Sequence, residues 1–359
     1  MKIDGKTSHN SPSLRFPEFT GEWVLNEMWN IAPLQRGFDL PSGNVLDGTI
    51  PVVYSNGILR YHNDYKCKAP AVITGRSGTI GKFTYLDKGY YWPHNTTLWV
   101  TDFCHNNPKF IYYLYQTINI SQFATGSGVP TLNRNDVHRH RCYLPKSIDE
   151  QRKIAAFLSL IDERIAIQDR LIDRLQSLMK GIRHRIINEA KGKIVCLCEV
   201  SDIYQPQTIS SADLTETGYP VYGANGIIGH YTSYNHEAEQ VCITCRGNTC
   251  GGVNYTKSKS WITGNAMVVN VDRYQNIVSK RYLYHYLSNC DFNSIISGSG
   301  QPQIVRAPLA KFKIILPTVM QQYKIAHCLD VIQNKINVNS NILNLIIRQK
   351  QYLLRKMFI

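Results

Sequence analysis

Acidic residues are scarce in this chain: 26 Asp and Glu stand against 40 Lys and Arg, a net charge of +14 with histidine neutral. An excess of one sign on this scale makes a polyanion the first partner to consider, nucleic acid ahead of any other. No Lys/Arg-rich amphipathic segment stands apart from the rest, which puts a membrane surface well behind. Long apolar runs are missing too. No window reaches the roughly 18 residues of a membrane span. The stretch from Met1 to Leu14 is polar, with no apolar core of signal-peptide type. A cytoplasmic location is therefore expected, with the ten cysteines as reduced thiols. No Gly-x-x-x-x-Gly-Lys-Ser/Thr phosphate loop occurs, which excludes a nucleotide motor of that kind. Histidines such as His138 and His140 form no metal-ligand spacing. What is present is ample apolar material: 43% of 359 residues, enough for two or three domains with real cores.

The chain is written twice. Pro51-Val-Val-Tyr-Ser-Asn-Gly-Ile58 recurs as Pro220-Val-Tyr-Gly-Ala-Asn-Gly-Ile227, and Ile73-Thr-Gly-Arg-Ser-Gly-Thr-Ile-Gly81 recurs as Ile243-Thr-Cys-Arg-Gly-Asn-Thr-Cys-Gly251. Gly126-Ser-Gly-Val-Pro130, Leu144-Pro145 and Gln151-Arg-Lys-Ile-Ala155 recur at Gly298-Ser-Gly-Gln-Pro302, Leu316-Pro317 and Gln322-Tyr-Lys-Ile-Ala326. The order is kept and the offset stays between 169 and 172 residues, so this is a duplicated domain and not a short solenoid repeat. Each copy opens with short Val/Ile/Tyr/Thr runs broken by Asn-Gly and glycine-rich turns, the pattern of β-structure.

Each copy closes on a helix with an unbroken apolar ladder. Ile154, Leu158, Ile161, Ile165, Gln168, Ile172, Leu175, Met179, Ile182 and Ile186 step by 4 and 3. The second ladder is Ile325, Leu329, Ile332, Ile336, Asn339, Leu343, Ile346, Lys350, Leu353 and Met357. Such stepping is the seam of a coiled coil, and it predicts that the two helices pair with one another. Gln168 and Asn339 sit on equivalent rungs, where a polar group fixes register at some cost in stability. The ammonium of Lys350 is expected to snorkel outward.

Two motifs invite chemistry and are better read as structure. Asn107-Pro-Lys-Phe110 faintly resembles the Asn-Pro-Pro-aromatic motif of amino-methyltransferases, but Lys109 replaces the second proline and the second copy has no Asn-Pro. Pro108 opening a helix explains it more simply. Cys242-Ile-Thr-Cys245 with Cys250 suggests zinc, but the repeat aligns these cysteines with Val72, Gly75 and Ile80, positions of a buried strand and turn. Cysteine as a small hydrophobe fits them. The tyrosines 112, 113, 115, 282, 284 and 286 read as packing residues.

Taken together, these features resemble the specificity subunits of type I restriction–modification systems. The likeness begins at Leu14-Arg-Phe-Pro-Glu-Phe19 with Gly21-Glu-Trp23, runs through the Gly-Ser-Gly-x-Pro, Leu-Pro and Gln-x-Lys-Ile-Ala motifs, and ends at Leu353-Leu-Arg-Lys-Met-Phe358. The resemblance implies an α/β (α+β) fold with two target-recognition domains of mixed sheet, residues 15–147 and 192–319. Helical spacers, 148–190 and 320–358, would follow each and pair as an antiparallel coiled coil. It implies a non-catalytic subunit that reads a bipartite site on double-stranded DNA, bound to two methyltransferase subunits and to restriction/motor subunits. S-adenosylmethionine, ATP and Mg would sit on those partners. The rival readings are the specificity protein of another multisubunit restriction or phage-defence system, a self-contained DNA methyltransferase, and a purely structural coiled-coil adaptor.

Polar side chains on turns of the β-rich parts are the candidates for DNA contact, since Arg, Lys, Asn, Gln, Ser and Thr read base edges and hold phosphates. In the first copy these are Arg36, Asn56, Arg60, Arg76, Ser77, Thr79 and Lys82; in the second, Asn225, Arg246, Asn248, Thr249, Lys257 and Lys259. Aligned by letter, Asn56/Asn225, Arg76/Arg246 and Thr79/Thr249 are shared, and shared residues cannot encode a difference between half-sites. Ser77 against Gly247 and Gly78 against Asn248 differ and could.

Overall fold

The computed structural model describes residues 10–126, 128–298 and 300–359. Ser127 and Ser299, the centres of the two Gly-Ser-Gly turns, lie outside the described residues. Contacts divide the chain into two compact units, one running up to Asp169 and resumed at Ile342–Ile359, the other Arg170–Asn341. The division passes through both long helices, because each helix half packs on the core of its own unit.

The first unit contains β1 (Trp23–Glu27), α1 (Met28–Ile31), β2 (Leu34–Arg36), β3 (Ile50–Tyr54), β4 (Gly57–His62), β5 (Cys67–Lys68), β6 (Ala71–Gly75), β7 (Phe83–Leu86), β8 (Tyr90–Pro93), β9 (Thr97–Val100), α2 (Pro108–Thr117), β10 (Ala124–Thr125), β11 (Thr131–Leu132), α3 (Arg134–Arg139), β12 (Arg141–Pro145) and the first half of α4 (Ile148–Glu189). Its main sheets have the orders β2-β9-β6-β7 and β4-β3-β8-β5. The β3–β8 pair is parallel and the rest antiparallel, so the architecture is mixed. Strand β6 is buried along its whole length because it has a core on each face. Val72 joins the core shared with α2 and α4, while Ala71 and Ile73 face Tyr91 and Val53. A doubly covered strand reads as a continuous apolar run, as this one does.

The second unit repeats the plan with β13 (Lys193–Cys196), α5 (Leu197–Val200), β14 (Asp202–Tyr204), β15 (Tyr219–Gly223), β16 (Gly226–Tyr231), β17 (Val241–Thr244), β18 (Val253–Tyr255), β19 (Trp261–Ile262), β20 (Ala266–Asn270), α6 (Lys280–Leu287), β21 (Ile296–Ser297), β22 (Gln303–Ile304), α7 (Arg306–Ala310), β23 (Lys313–Leu316) and most of α8 (Val319–Met357). Here β17 is the doubly covered strand, with Val241 and Ile243 on the helix side and Cys242 on the other.

One duplicated glutamine ties each long helix to its sheets. Gln151, 2% exposed, accepts the Asn107 N–H at 2.8 Å and donates to Pro145 O at 3.0 Å. Gln322, fully buried, accepts the Ser279 N–H at 2.8 Å and donates to Pro317 O at 2.9 Å. Each orients the start of the aromatic helix, α2 or α6, and satisfies backbone groups that a helix terminus leaves open. Asn107 itself caps α2, accepting the Phe110 N–H at 2.9 Å with Pro108 at the first helical position. The Asn-Pro pair is thus a helix start, and Phe110 is buried in the core.

All twenty ladder residues are buried or half-buried. In the first unit Ile154 and Leu158 share a core with Leu353 and Met357; in the second Met179 packs with Leu329 and Ile336. Each unit therefore joins one end of α4 to the opposite end of α8, an antiparallel pairing. The expectation for Lys350 fails. Its side chain is 15% exposed and its Nζ pairs with Asp162 at 2.7 Å, donates to Gln116 at 3.2 Å and lies 5.5 Å from the Tyr113 ring centre. A carboxylate within reach holds the ammonium in the seam where snorkelling would have taken it out. Asn339 donates to Lys335 O at 2.7 Å, a bond within its own helix.

A second apolar set on these helices faces outward. In the first unit Leu160, Ile167, Leu345 and Tyr352 are 58–63% exposed, and in the second Leu178, Val331 and Val338 are 52–56% exposed. Val331, Val338, Leu345 and Tyr352 repeat every seven residues beside the seam. Among the described residues no helix is long and apolar enough to cross a membrane.

Candidate nucleic-acid interface

In the first unit most of the predicted contact residues converge. The tip of the β3–β4 hairpin, Ser55 and Asn56, lies against the loop from Arg76 to Lys82 that joins β6 to β7, and Lys82 Nζ donates to Asn56 O at 2.8 Å. Across that loop, Ser77 bridges Thr131 and Arg76 O accepts the Leu132 N–H at 2.8 Å. A cleft of about 630 Å³ opens here, lined by Arg36, Asp39, Arg76 and Arg134 among others. Three arginines and one aspartate thus line it, and Asp39 is drawn to Arg36 at 3.3 Å. Thr79 is exposed on the loop, and Arg60 is exposed along β4.

In the second unit Asn225 occupies the β15–β16 tip, and Arg246, Asn248 and Thr249 lie on the loop after β17. Lys257 and Lys259 do not join them. They follow the far end of β18, where Lys259 approaches Glu237 at 3.9 Å.

The alignment by letter is wrong by one residue at this loop. Arg76 N–H donates to Thr96 O and Arg76 O accepts from Leu132; in the second unit Cys245, not Arg246, makes the matching bonds to Asn265 and Ile304. The bridge Ser77–Thr131 is matched by Arg246–Gln303. Core faces agree with this register: Val72 and Val241 face the helices, Ile73 and Cys242 face away. Gly78 and Gly247 then coincide, with φ of 82° and 85°, whereas Gly81 and Gly251 (84° and 89°) are one residue further apart. The second loop holds one extra residue. Because side chains alternate along a strand, a slip of one sends them to opposite faces. Arg76 and Arg246 are therefore not equivalent, whereas Thr79 and Thr249 both lie in the stretch that carries the extra residue, between the two glycine pairs. Asn56 and Asn225 keep their equivalence, each at the tip of its hairpin.

The corrected register brings out two residues that pattern reading passed over. Arg134 and Arg306 each follow the duplicated hairpin β10–β11 or β21–β22 by two residues and open α3 or α7. Both are exposed. Their constant distance from the Gly-Ser-Gly-x-Pro motif was the available signal. The first also touches the electrostatics of its neighbourhood: burial, with the Arg134 charge nearby, holds His138 below the usual imidazole range. His138 Nε2 accepts the Leu34 N–H at 2.8 Å, a structural role.

The look-alike sites resolve into packing. Cys242 and Cys245 are 1% exposed, and burial pushes the Cys242 thiol up to about 12. They occupy the positions of Ile73 and Arg76, not those the letters suggested. Among the described residues no three His, Cys, Asp or Glu side chains gather as a metal site. Tyr113, Tyr115, Tyr282 and Tyr286 are core residues, and Lys109 and Arg281 lie 4.0 and 4.3 Å from the rings of Tyr85 and Tyr255.

Two sheet-and-helix units of one plan, each offering polar hairpin loops, describe a duplicated binding scaffold. The family model for the type I restriction modification DNA specificity domain matches residues 27–177 and 190–348, one match per copy, and the chain belongs to that family. It is 31% identical over 148 residues to the EcoprrI type I restriction enzyme specificity subunit of Escherichia coli, a stretch that spans 40% of this chain and 36% of that one. The crystal structure of a type I restriction–modification S subunit from M. genitalium shares the fold, with a TM-score of 0.70, 17% identity, and 97% and 99% of the two chains covered. A chain from a study of complex assembly and conformational transition in a type I system gives 0.53 at 16% identity, covering 93% and 97%.

Proposed function

We propose that this chain is the non-catalytic, DNA-reading subunit of a cytoplasmic type I restriction–modification complex, each copy reading one half of a bipartite site. The observation that carries this is the first unit's cleft, which Arg36, Arg76 and Arg134 line together beside the β10 and β11 strands, on a chain of +14 charge. Phosphates and base edges are the ligands such a set of donors suits. The outward apolar residues of α4 and α8 occur in both units, which fits one methyltransferase subunit docked on each. Restriction/motor subunits complete the assembly, and S-adenosylmethionine, ATP and Mg²⁺ belong to those partners.

Methylation mapping tests the reading. Exchanging residues 15–147 for the equivalent segment of another family member is expected to change one half of the methylated sequence and leave the other intact. A change in both halves would refute independent readout. A second expectation concerns charge. Arg134→Ala and Arg306→Ala should each weaken binding to every duplex alike and lower the slope of log K against log[salt] by about one. An altered base preference at constant slope would make them base readers instead.

A further inference from the structure

The corrected register changes which residues can distinguish the two half-sites. At the cleft, Arg134 of the first unit has Arg306 as its counterpart, so this position is the same in both copies. The other two cleft arginines are not repeated. Arg76 coincides with Cys245, as the matched backbone bonds require. Arg36 coincides with Gln205. The helices α1 and α5 set this offset, and the cross-strand pairs Leu34–Val100 and Ile203–Val269 keep it. Both side chains are exposed, and each has a neighbour as partner: Arg36 pairs with Asp39, and the Gln205 amide donates to the Gly264 carbonyl.

These two residue types carry different base chemistry. The guanidinium fork of Arg matches the O6 and N7 acceptors of guanine, whereas the amide of Gln matches the N6 donor and N7 acceptor of adenine. A common cation beside them fixes the backbone without reading sequence. Building on the DNA-reading function above, we propose that position 36/205 is a base-reading position of each copy: Arg36 selects guanine in one half-site, Gln205 selects adenine in the other, and Arg134 or Arg306 holds the adjoining phosphate.

The test uses the full chain assembled with its methyltransferase subunits and a library of randomised DNA duplexes, selected at fixed salt. Arg36→Gln is expected to change guanine to adenine at one position of one half-site, with roughly 5–150-fold discrimination, the range of a single bidentate contact. Gln205→Arg is expected to make the reverse change in the other half-site only. Both side chains lie at the surface, and retained selection of the unaltered half-site shows that each variant is folded. Unchanged preferences in both variants would overturn the proposal while leaving DNA reading intact. Failure of the unmodified complex to select any sequence would overturn both.

Discussion

Replacing Glu150 with Ala is expected to destabilise the first unit by about 3–5 kcal/mol, the usual cost of leaving a buried charge without its partner. Glu150 is 2% exposed, and its two oxygens accept from Arg15 at 2.7 and 2.8 Å and from the Trp23 indole at 3.1 Å. The same guanidinium donates to Gly21 O at 2.6 Å. One carboxylate at the head of α4 thus gathers the segment before β1. Its removal strands Arg15, only 14% exposed, and an indole N–H that is otherwise satisfied. Glu150→Gln keeps the shape but not the charge, and a smaller loss is expected. The second unit supplies the control. Gln321 stands at the equivalent place, is exposed, and accepts from the backbone and hydroxyl of Thr318. Gln321→Ala should therefore cost no more than about 1 kcal/mol. Hydrogen exchange resolved to peptides of each unit is the measurement, because a two-unit chain need not unfold in one step. Equal loss of protection in both units, or none in the first, would contradict the assignment.

What could be read from the letters follows from how each feature is encoded. The seams were legible because a 4–3 step leaves a period in the sequence, and every rung lies at or near a buried surface. The duplication was legible because five motifs kept their order. The loop register was not. Ile-Thr-x-Arg occurs in both copies, yet the second loop holds one residue more, and only backbone bonds to a strand some 55 residues on reveal which residue is paired. Lys350 was misread for a related reason. A polar residue on a ladder is expected to leave it, and nothing local announces that Asp162, on the other helix, waits within 2.7 Å. The outward apolar set beside the seam was passed over because the stronger period masked it. Arg134 and Arg306 open short helices and so lie outside the Gly- and Asn-marked turns that the sequence pattern singles out.

Acid should weaken α6 of the second unit before α2 of the first, and the buried His285–Asp330 pair is the reason. Its carboxylate accepts from Arg281 Nε at 3.0 Å and from His285 Nε2 at 2.8 Å. Burial alone would raise this carboxyl, but the bonds from His285 and Arg281 outweigh it and bring it down to about 2. A lowered carboxyl stabilises the fold above its unfolded value near 4, and that contribution is lost as the pH falls toward 2. His285 acts in the same direction at higher pH. It is fully buried, burial holds it below the usual imidazole range against the pull of Asp330, and Arg183 and Arg281 add to the lowering. Folding therefore favours the neutral ring with its proton on Nε2, and protonation costs stability as the pH falls below about 6.5. In the first unit Tyr113 takes the place of His285 and donates to Asp162 at 2.7 Å. A phenol does not titrate in acid. Between pH 7 and 4.5 the peptides of α6 should lose protection from hydrogen exchange faster than those of α2. Asp330→Ala should cost about 3 kcal/mol at neutral pH, the lower end for a buried pair, since Asp330 is 23% exposed. His285→Tyr, copying the first unit, should flatten the difference between α6 and α2 over that range. A difference that persists in this variant would place the acid sensitivity elsewhere.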